Sequence, residues 1–422
     1  MKKPLLRIPY TDILPAPTII PPTARSLPGA VAALREFLGA PSPPGLPPST
    51  VVLTGAGLSV ASGLADYRGP KGTYRVNKTY RPIYYHEFLA SHEARKRYWA
   101  RSFLGWTTLD RARPNAGHYA VGDLGRLGLV SAVVTQNVDS FHPRAHPDLP
   151  TVELHGYLRS AVCTSCRAEV PRDGFQADLA RLNPVWAAFL REAVASGALE
   201  TEDPRERRAR GIRVNPDGDV ELPEAPYTTF RYPACPRCLR DPPRLADGSR
   251  AVVEVDGDGA WSPTSGAGIL KPAVVMFGEN IADGVKRAAE EAVDRAGKLL
   301  VLATSLATYS AWRLAKRAKD RGMPIAIVNM GGVRAEEALF AGLDPDQTGA
   351  QGVRLDMSTD TLLPALVREL RQQAALRQNA EPSPAGEASF SGKTMPPCSK
   401  ACCSRSPLAP NQKERKNKIN EE

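Results

Sequence analysis

The chain has 422 residues, 42% of them hydrophobic and 24% charged, with a net charge of +10; that length suits one large domain and a small one with sizeable cores. No run approaches the roughly 18 apolar residues of a membrane span, and no basic stripe with interleaved aromatics marks a nucleic-acid surface. Four of the seven cysteines form two C-x₂-C pairs in a chain without a secretory signal, which argues against a disulfide framework.

Residues 1–48 are rich in proline and poor in acid, beginning MKKPLLRIPY. Leu27–Leu38 sets Val31, Leu34, Phe37 and Leu38 on one face of a short helix, and PSPPGLPPS then blocks regular structure. This reads as a leader ahead of a docking helix, and its functional version is a mitochondrial presequence. Val51–Thr54 is a buried-type strand running into Gly55-Ala56-Gly57. Glycines there allow a tight turn and let a pyrophosphate approach backbone N–H groups. The stretch GAGLSVASGLADYRG brings Ser59 and then Asp66, Tyr67 and Arg68 together. It lacks the spacing of an ordinary dinucleotide fingerprint or of a lysine-bearing phosphate loop. RYWAR (97–101) reads as helical, so Tyr98 and Arg101, three residues apart, share a face.

The apolar run 129–137 ends in Thr135-Gln136-Asn137-Val138-Asp139-Ser140-Phe141-His142. Amides and a carboxylate at the carboxyl end of such a strand need partners, and they suit a carboxamide and ribose hydroxyls. Glu153-Leu154-His155-Gly156 ends the next β-type run, and a neutral imidazole there can serve as a general base. Cys163/Cys166 and Cys235/Cys238 have 68 residues between them, a polar stretch among these. Four thiolates close a tetrahedral zinc site with no open position, so such a metal is structural; redox-active pairs are the alternative. Further β-type runs at 271–278, 298–305, 324–329 and 352–357 alternate with helical patterns such as Asp283–Ala296 and Tyr309–Asp320. They carry Lys271-Pro272-Ala273-Val274-Val275-Met276-Phe277-Gly278-Glu279, Ala303-Thr304-Ser305-Leu306 and Val328-Asn329-Met330-Gly331. Apolar strands alternating with helices point to a parallel sheet covered on both faces. Residues 159–262 interrupt that rhythm as an inserted module, and 376–422 read as a disordered basic tail.

In this order the segments resemble the sirtuin family over roughly residues 27–372. The family pattern is GAG-x-S-x-x-SGI-x-D-[FY]-R, TQN-x-D-x-LH, HG, two C-x₂-C pairs, KP-x-VV-x-FGE and G-[TS]-S-L. RPIYYHEF, RYWARSFLGW, NPVW and NPDGDV are similar to the class II mitochondrial branch. The resemblance implies an α/β fold, a Rossmann-type doubly wound parallel sheet with a smaller zinc-binding module at about 159–262, the catalytic domain spanning 49–375. It implies an NAD-dependent protein lysine deacylase, with NAD as co-substrate, one structural zinc ion and acyl-lysine proteins as partners. Gly55, Ala56, Gly57, Ser59, Asp66, Tyr67 and Arg68 line the cofactor site, Ala56, Gly57 and Arg68 at the phosphates. Gln136, Asn137, Val138 and Asp139 form the nicotinamide-ribose pocket, and Thr304, Ser305 and Asn329 meet the adenosine half.

His155 is the implied general base, with Asn137 and Asp139 beside it as catalytic groups. Val275, Phe277 and Gly278 face the acyl-lysine, and a Tyr98/Arg101 pair is the candidate reader of an acidic acyl end. Cys163, Cys166, Cys235 and Cys238 hold the metal. Ala65 stands where the family commonly has Pro, Phe141 where it has Leu, and Ala303 where it has Gly. The resemblance places the protein in the mitochondrial matrix, with nucleus or cytoplasm as the alternative. ADP-ribosyl transfer to protein, which shares the NAD pocket, is the competing activity, and a non-catalytic NAD-binding regulator the competing class.

Overall fold

Along the strand Thr50–Thr54, Val51 and Leu53 point to one side and Val52 to the other, and all five residues are buried. A strand apolar on both sides must lie inside a sheet covered on both faces. The computed structural model, which describes residues 11–77, 80–197, 213–214, 219–222, 225–344 and 349–380, shows such a sheet. The opening MKKPLLRIPY, the stretch ETEDPRERRARG, residues 215–218 of NPDGD, and the tail from 381 with Cys398, Cys402 and Cys403 lie outside the described residues.

The strands are β1 (Thr50–Thr54), β2 (Val130–Thr135), β3 (Thr151–Glu153), β4 (Gly156–Cys163), β5 (Glu169–Pro171), β6 (Arg213–Val214), β7 (Val220–Glu221), β8 (Leu270–Val274), β9 (Lys298–Leu302), β10 (Ile325–Val328) and β11 (Gly352–Leu355). Six form a parallel sheet in the order β11-β10-β9-β1-β2-β3. Chain direction across the sheet reverses at β1, whose neighbours are β2 on one side and β9 on the other. That is the switch point of a doubly wound Rossmann-type sheet, where loops part to leave a ligand crevice.

Helices cover both faces. On one, Val52, Val133, Leu300 and Leu355 meet Leu34 and Phe37 of the helix Leu27–Gly39, Val121 of Ala116–Arg126, and Leu362 and Leu366 of Thr359–Ala380. The first of these is the helix expected over 27–38; Ser26 Oγ accepts from Gly29 N–H at 3.2 Å and opens it. On the other face, Leu53, Val301 and Ile327 meet Val293 of Asp283–Asp294 and Leu314 and Ala318 of Tyr309–Asp320.

The run 271–278 departs from expectation. Its strand, β8, belongs not to the parallel sheet but to a three-stranded antiparallel one, β5-β4-β8. Apolar content tells that a strand is buried but not which sheet buries it, and here the partner is β4, whose mixed sequence GYLRSAVC gave no strand signal. The cysteine insertion carries helices of its own. Helices Arg172–Leu182 and Pro184–Ala195 pack Phe175, Leu179 and Trp186 against Trp99 and Phe103 of the long helix His92–Arg111. Among the described residues no helix is long and apolar enough to cross a membrane.

Candidate functional site

Residues leaving the carboxyl ends of β1, β2, β3 and β9 surround a cleft of about 1190 Å³. Its walls include Gly55, Ala56, Gly57, Ser59, Asp66, Tyr67, Arg68, Gln136, Asn137, Val138, Asp139 and His155. Thr304, Ser305 and Asn329 stand at one end, and Tyr98, Val275, Phe277 and Gly278 line other parts. The fold thus gathers motifs scattered over more than half the chain.

Gln136 ties the strand ends together. Its Nε2 donates to the Thr54 carbonyl at 3.1 Å and to Thr304 Oγ1 at 2.9 Å, while its Oε1 accepts from Thr308 Oγ1 at 2.9 Å. Asn137 is buried; its Nδ2 donates to Gly55 O and Ser59 Oγ, both at 3.1 Å. Asn137 Oδ1 is buried with no hydrogen-bond partner, an acceptor that a bound donor in the cleft would satisfy. Ser59 Oγ donates to Asp139 Oδ2 at 2.7 Å, and Phe141 N–H to Asp139 Oδ1 at 2.9 Å. Burial still raises the Asp139 pKa, against those two hydrogen bonds.

The cation of Arg68 lies 4.9 Å over the Tyr74 ring, and burial lowers its pKa. Asp66 Oδ2 accepts from Gly69 N–H at 3.0 Å, and burial raises its pKa. Asn329 Nδ2 donates to the carbonyls of Met330 and Gly331 at 3.2 and 3.1 Å, fixing the turn after β10. Ala303 adopts a φ of 51°, the left-handed conformation that favours glycine. Its carbonyl accepts from Gly57 N–H at 3.1 Å, locking the two glycine-type turns together. A cleft carrying an orphaned buried acceptor, polar groups at three strand ends and Arg68 fits a dinucleotide in size and chemistry.

His155 sits where the chain leaves the parallel sheet. Gly156, at φ 75°, makes the bend, and a Cβ there would lie 2.1 Å from the Ala273 carbonyl oxygen. His155 Nδ1 lies 3.2 Å from the Gln136 carbonyl oxygen and Nε2 lies 2.8 Å from Ser310 Oγ. Burial lowers its pKa to about 4, only partly opposed by the Gln136 hydrogen bond, so the ring is neutral near pH 7. The His155 carbonyl accepts from Val275 N–H at 2.7 Å, which couples His155 to the segment carrying Phe277 and Gly278.

Behind the cleft, Thr54 Oγ1 donates to Thr135 Oγ1 at 2.8 Å and meets His142 Nε2 at 3.0 Å, and His142 Nδ1 meets His146 Nε2 at 2.9 Å. Sequence reasoning missed this network, and with it Thr308 and Ser310. The signal for Thr54 and Thr135 was a hydroxyl closing each of two adjacent strands. For Ser310 it was a serine opening the helix after Thr304-Ser305.

Tyr98 reaches the cleft, but Arg101 does not line it. The Arg101 guanidinium is buried and its Nη2 lies 2.7 Å from Asp219 Oδ2. Asp219 is the member of that pair that reaches the cleft wall.

The four thiols of Cys163, Cys166, Cys235 and Cys238 lie within 4.8 Å of one another, with Cys163–Cys238 and Cys166–Cys235 at 3.6 Å. A Zn–S bond of about 2.3 Å puts the corners of a tetrahedron about 3.8 Å apart, so the set fits a zinc ion. Cys163 closes β4, the strand that begins beside His155, so the metal and the cleft occupy opposite ends of one strand.

The profile of the Sir2 family matches residues 55–310. The chain is 40% identical over 292 residues to the NAD-dependent protein deacylase SIR4 of Batrachochytrium dendrobatidis, covering 68% of this chain and 83% of that protein. It is 37% identical over 287 residues to the NAD-dependent protein deacylase SRT2 of Arabidopsis thaliana, covering 68% and 67%. With the mitochondrial NAD-dependent protein lipoamidase sirtuin-4 of Bos taurus it shares 32% over 325 residues, covering 77% and 85%.

Proposed function

The chain belongs to the Sir2 family, and on that footing we propose that it is an NAD⁺-dependent protein lysine deacylase acting on acylated proteins, with one structural zinc ion. The observation that carries this reading is a neutral imidazole on the wall of a cleft shared with Asn137, Asp139 and Phe277.

In this proposal Ala56, Gly57 and Arg68 hold the phosphates, and Gly55, Ser59, Asp66 and Tyr67 shape that loop. Gln136, Asn137, Val138 and Asp139 hold the nicotinamide ribose, and Thr304, Ser305 and Asn329 the adenosine half. Bound NAD⁺ supplies a ribose carbon from which nicotinamide leaves readily. Phe277 and Val275 wall off bulk water from that carbon, while Gly278 leaves room for a peptide to lie along the segment as an extended strand. Asn137 and Asp139 orient the ribose. His155 then accepts a proton from a ribose hydroxyl, so that this oxygen can take the acyl group as lysine departs.

The acyl pocket is read differently from the sequence expectation. Because Arg101 is paired with Asp219, an acidic acyl end would have to compete with that carboxylate. The arrangement therefore supports neutral acyl chains packed on Tyr98 over acidic ones. Similarity to a mitochondrial relative supports a mitochondrial matrix location.

The test is incubation with NAD⁺ and a panel of acyl-lysine peptides, following nicotinamide release and peptide mass. Acyl-dependent release that His155→Ala lowers 10²- to 10⁴-fold is expected. Label from NAD⁺ appearing on protein, with no peptide deacylated, would establish ADP-ribosyl transfer instead.

A further inference from the structure

The Gln136 carbonyl beside His155 can only accept a hydrogen bond, so Nδ1 carries the ring proton and Nε2 the lone pair. The hydroxyl of Ser310, 2.8 Å from Nε2, must therefore donate to it. Both nitrogens of the proposed base are thus engaged by the protein itself. A hydroxyl arriving in the cleft finds no unoccupied nitrogen; it finds the Ser310 oxygen, which retains acceptor capacity and also lines the cleft.

Ser310 is the second residue of the helix Tyr309–Asp320. The first N–H groups of a helix lack intrahelical partners, and with the aligned peptide dipoles they place partial positive charge at that end. A serine oxygen there is favoured when it takes on negative character. The neighbouring Thr308 hydroxyl is committed to Gln136 Oε1 at 2.9 Å, so the residue holding Nδ1 and the helix end bearing Ser310 are braced against each other.

We propose that Ser310 is a further catalytic residue, relaying the proton between the substrate ribose hydroxyl and His155. The inference rests on the deacylase reading above. In the step, the ribose O–H bond breaks and its proton bonds to Ser310 Oγ. The Ser310 O–H bond breaks at the same time and its proton bonds to His155 Nε2. Serine ends neutral, the imidazole becomes imidazolium, and the ribose oxygen keeps the electron pair with which it attacks the acyl carbon. When the lysine amine leaves, the same pair returns the proton in the opposite direction.

The experiment compares native protein with Ser310→Ala, Ser310→Thr and His155→Ala. In the free protein, the ¹⁵N resonance of His155 Nε2 should move in Ser310→Ala and stay near its native position in Ser310→Thr, with Nδ1 unmoved in both. With NAD⁺ and acyl peptide, Ser310→Ala should lower kcat for deacylation by about 10- to 100-fold, less than His155→Ala, because the imidazole remains to take the proton directly, from a less favourable distance. Exchange of labelled nicotinamide into NAD⁺, which precedes the proton transfer, should be preserved. A proton inventory in mixed H₂O and D₂O should be curved for native protein, with two protons in flight, and straight for Ser310→Ala. Should His155→Ala be inactive while Ser310→Ala keeps native kcat and a native inventory, the relay fails and the deacylase reading stands. If His155→Ala turns over normally, the relay and the role of His155 as base fall together; if the native protein deacylates no peptide, the deacylase reading itself falls.

Discussion

Arg101 and Asp219 form an ion pair of 2.7 Å whose side chains are 5% and 10% exposed, and the acid, not the base, faces the cleft. A buried pair of this kind is costly to split, because the surviving charge stays desolvated. Asp219→Asn keeps the shape of the acid and removes its charge. We expect it to destabilise the protein by about 3 kcal/mol. It should also raise kcat/KM for glutaryl-type over acetyl-type lysine peptides, as a like charge leaves the cleft wall. Peptide kinetics on the two proteins decide the matter; an unchanged ratio means that the Asp219 charge does not act on the acyl end.

Removing one thiol of the metal cluster should lower stability. In Cys163→Ser or Cys238→Ser we expect zinc content to fall from one per chain toward zero and the melting transition to broaden and drop, since metal-binding energy is folding energy in such sites. Metal analysis of the purified native chain checks the premise directly, and finding no zinc there would end it.

Acid should weaken the fold through the buried histidines. His118 is fully buried with its pKa lowered to about 3 by burial, then by His146, and His142 is held well below its ordinary value by burial, then by His118 and His146. Unfolded, both take up protons near pH 6.5, so the unfolded state binds more protons and stability falls as pH drops below that value. The slope is at most about 1.4 kcal/mol per pH unit for each ring. Asp66 and Asp139 act in the opposite sense, since burial raises their pKa values and the folded state holds their protons to higher pH. The histidine contribution is isolated by His118→Asn. Its urea midpoint should shift less between pH 7.5 and pH 5.5 than that of the native protein, and equal shifts would show that His118 does not titrate in this window.

Ala303 holds a backbone conformation that costs an L-residue about 1–2 kcal/mol. Ala303→Gly removes that strain and adds about 0.4–1 kcal/mol of unfolded-chain entropy. A net gain of about 0.5–1 kcal/mol is expected, read from the denaturant midpoint. Loss of stability on this substitution would mean that the Ala303 methyl packs more favourably than its backbone is strained.

The central sheet was legible because Val51–Leu53 and Leu299–Leu302 are apolar on both faces, a pattern that only a covered sheet rewards. Grouping of the polar residues at strand ends was legible too, since loops at one edge of such a sheet converge. Sheet membership was not: the run 271–278 is as apolar as its neighbours, yet it pairs with β4. The partner of Arg101 was hidden because the two residues meet only through the packing of distant segments. Ser310 was hidden because one serine at a helix start usually reports a local turn; only the fold carries it to His155.

The strand β4 starts at Gly156 and ends at Cys163. At about 3.3 Å per residue that strand spans at most roughly 25 Å, and four thiolates leave the metal no open position from which to take part in the chemistry. A strand pinned at one end through Cys163 behaves instead as a lever, and its other end adjoins the imidazole. Partial demetallation should therefore register first as angular slack in His155, a drop in turnover with cofactor affinity preserved, before the cores on either side of the sheet give way.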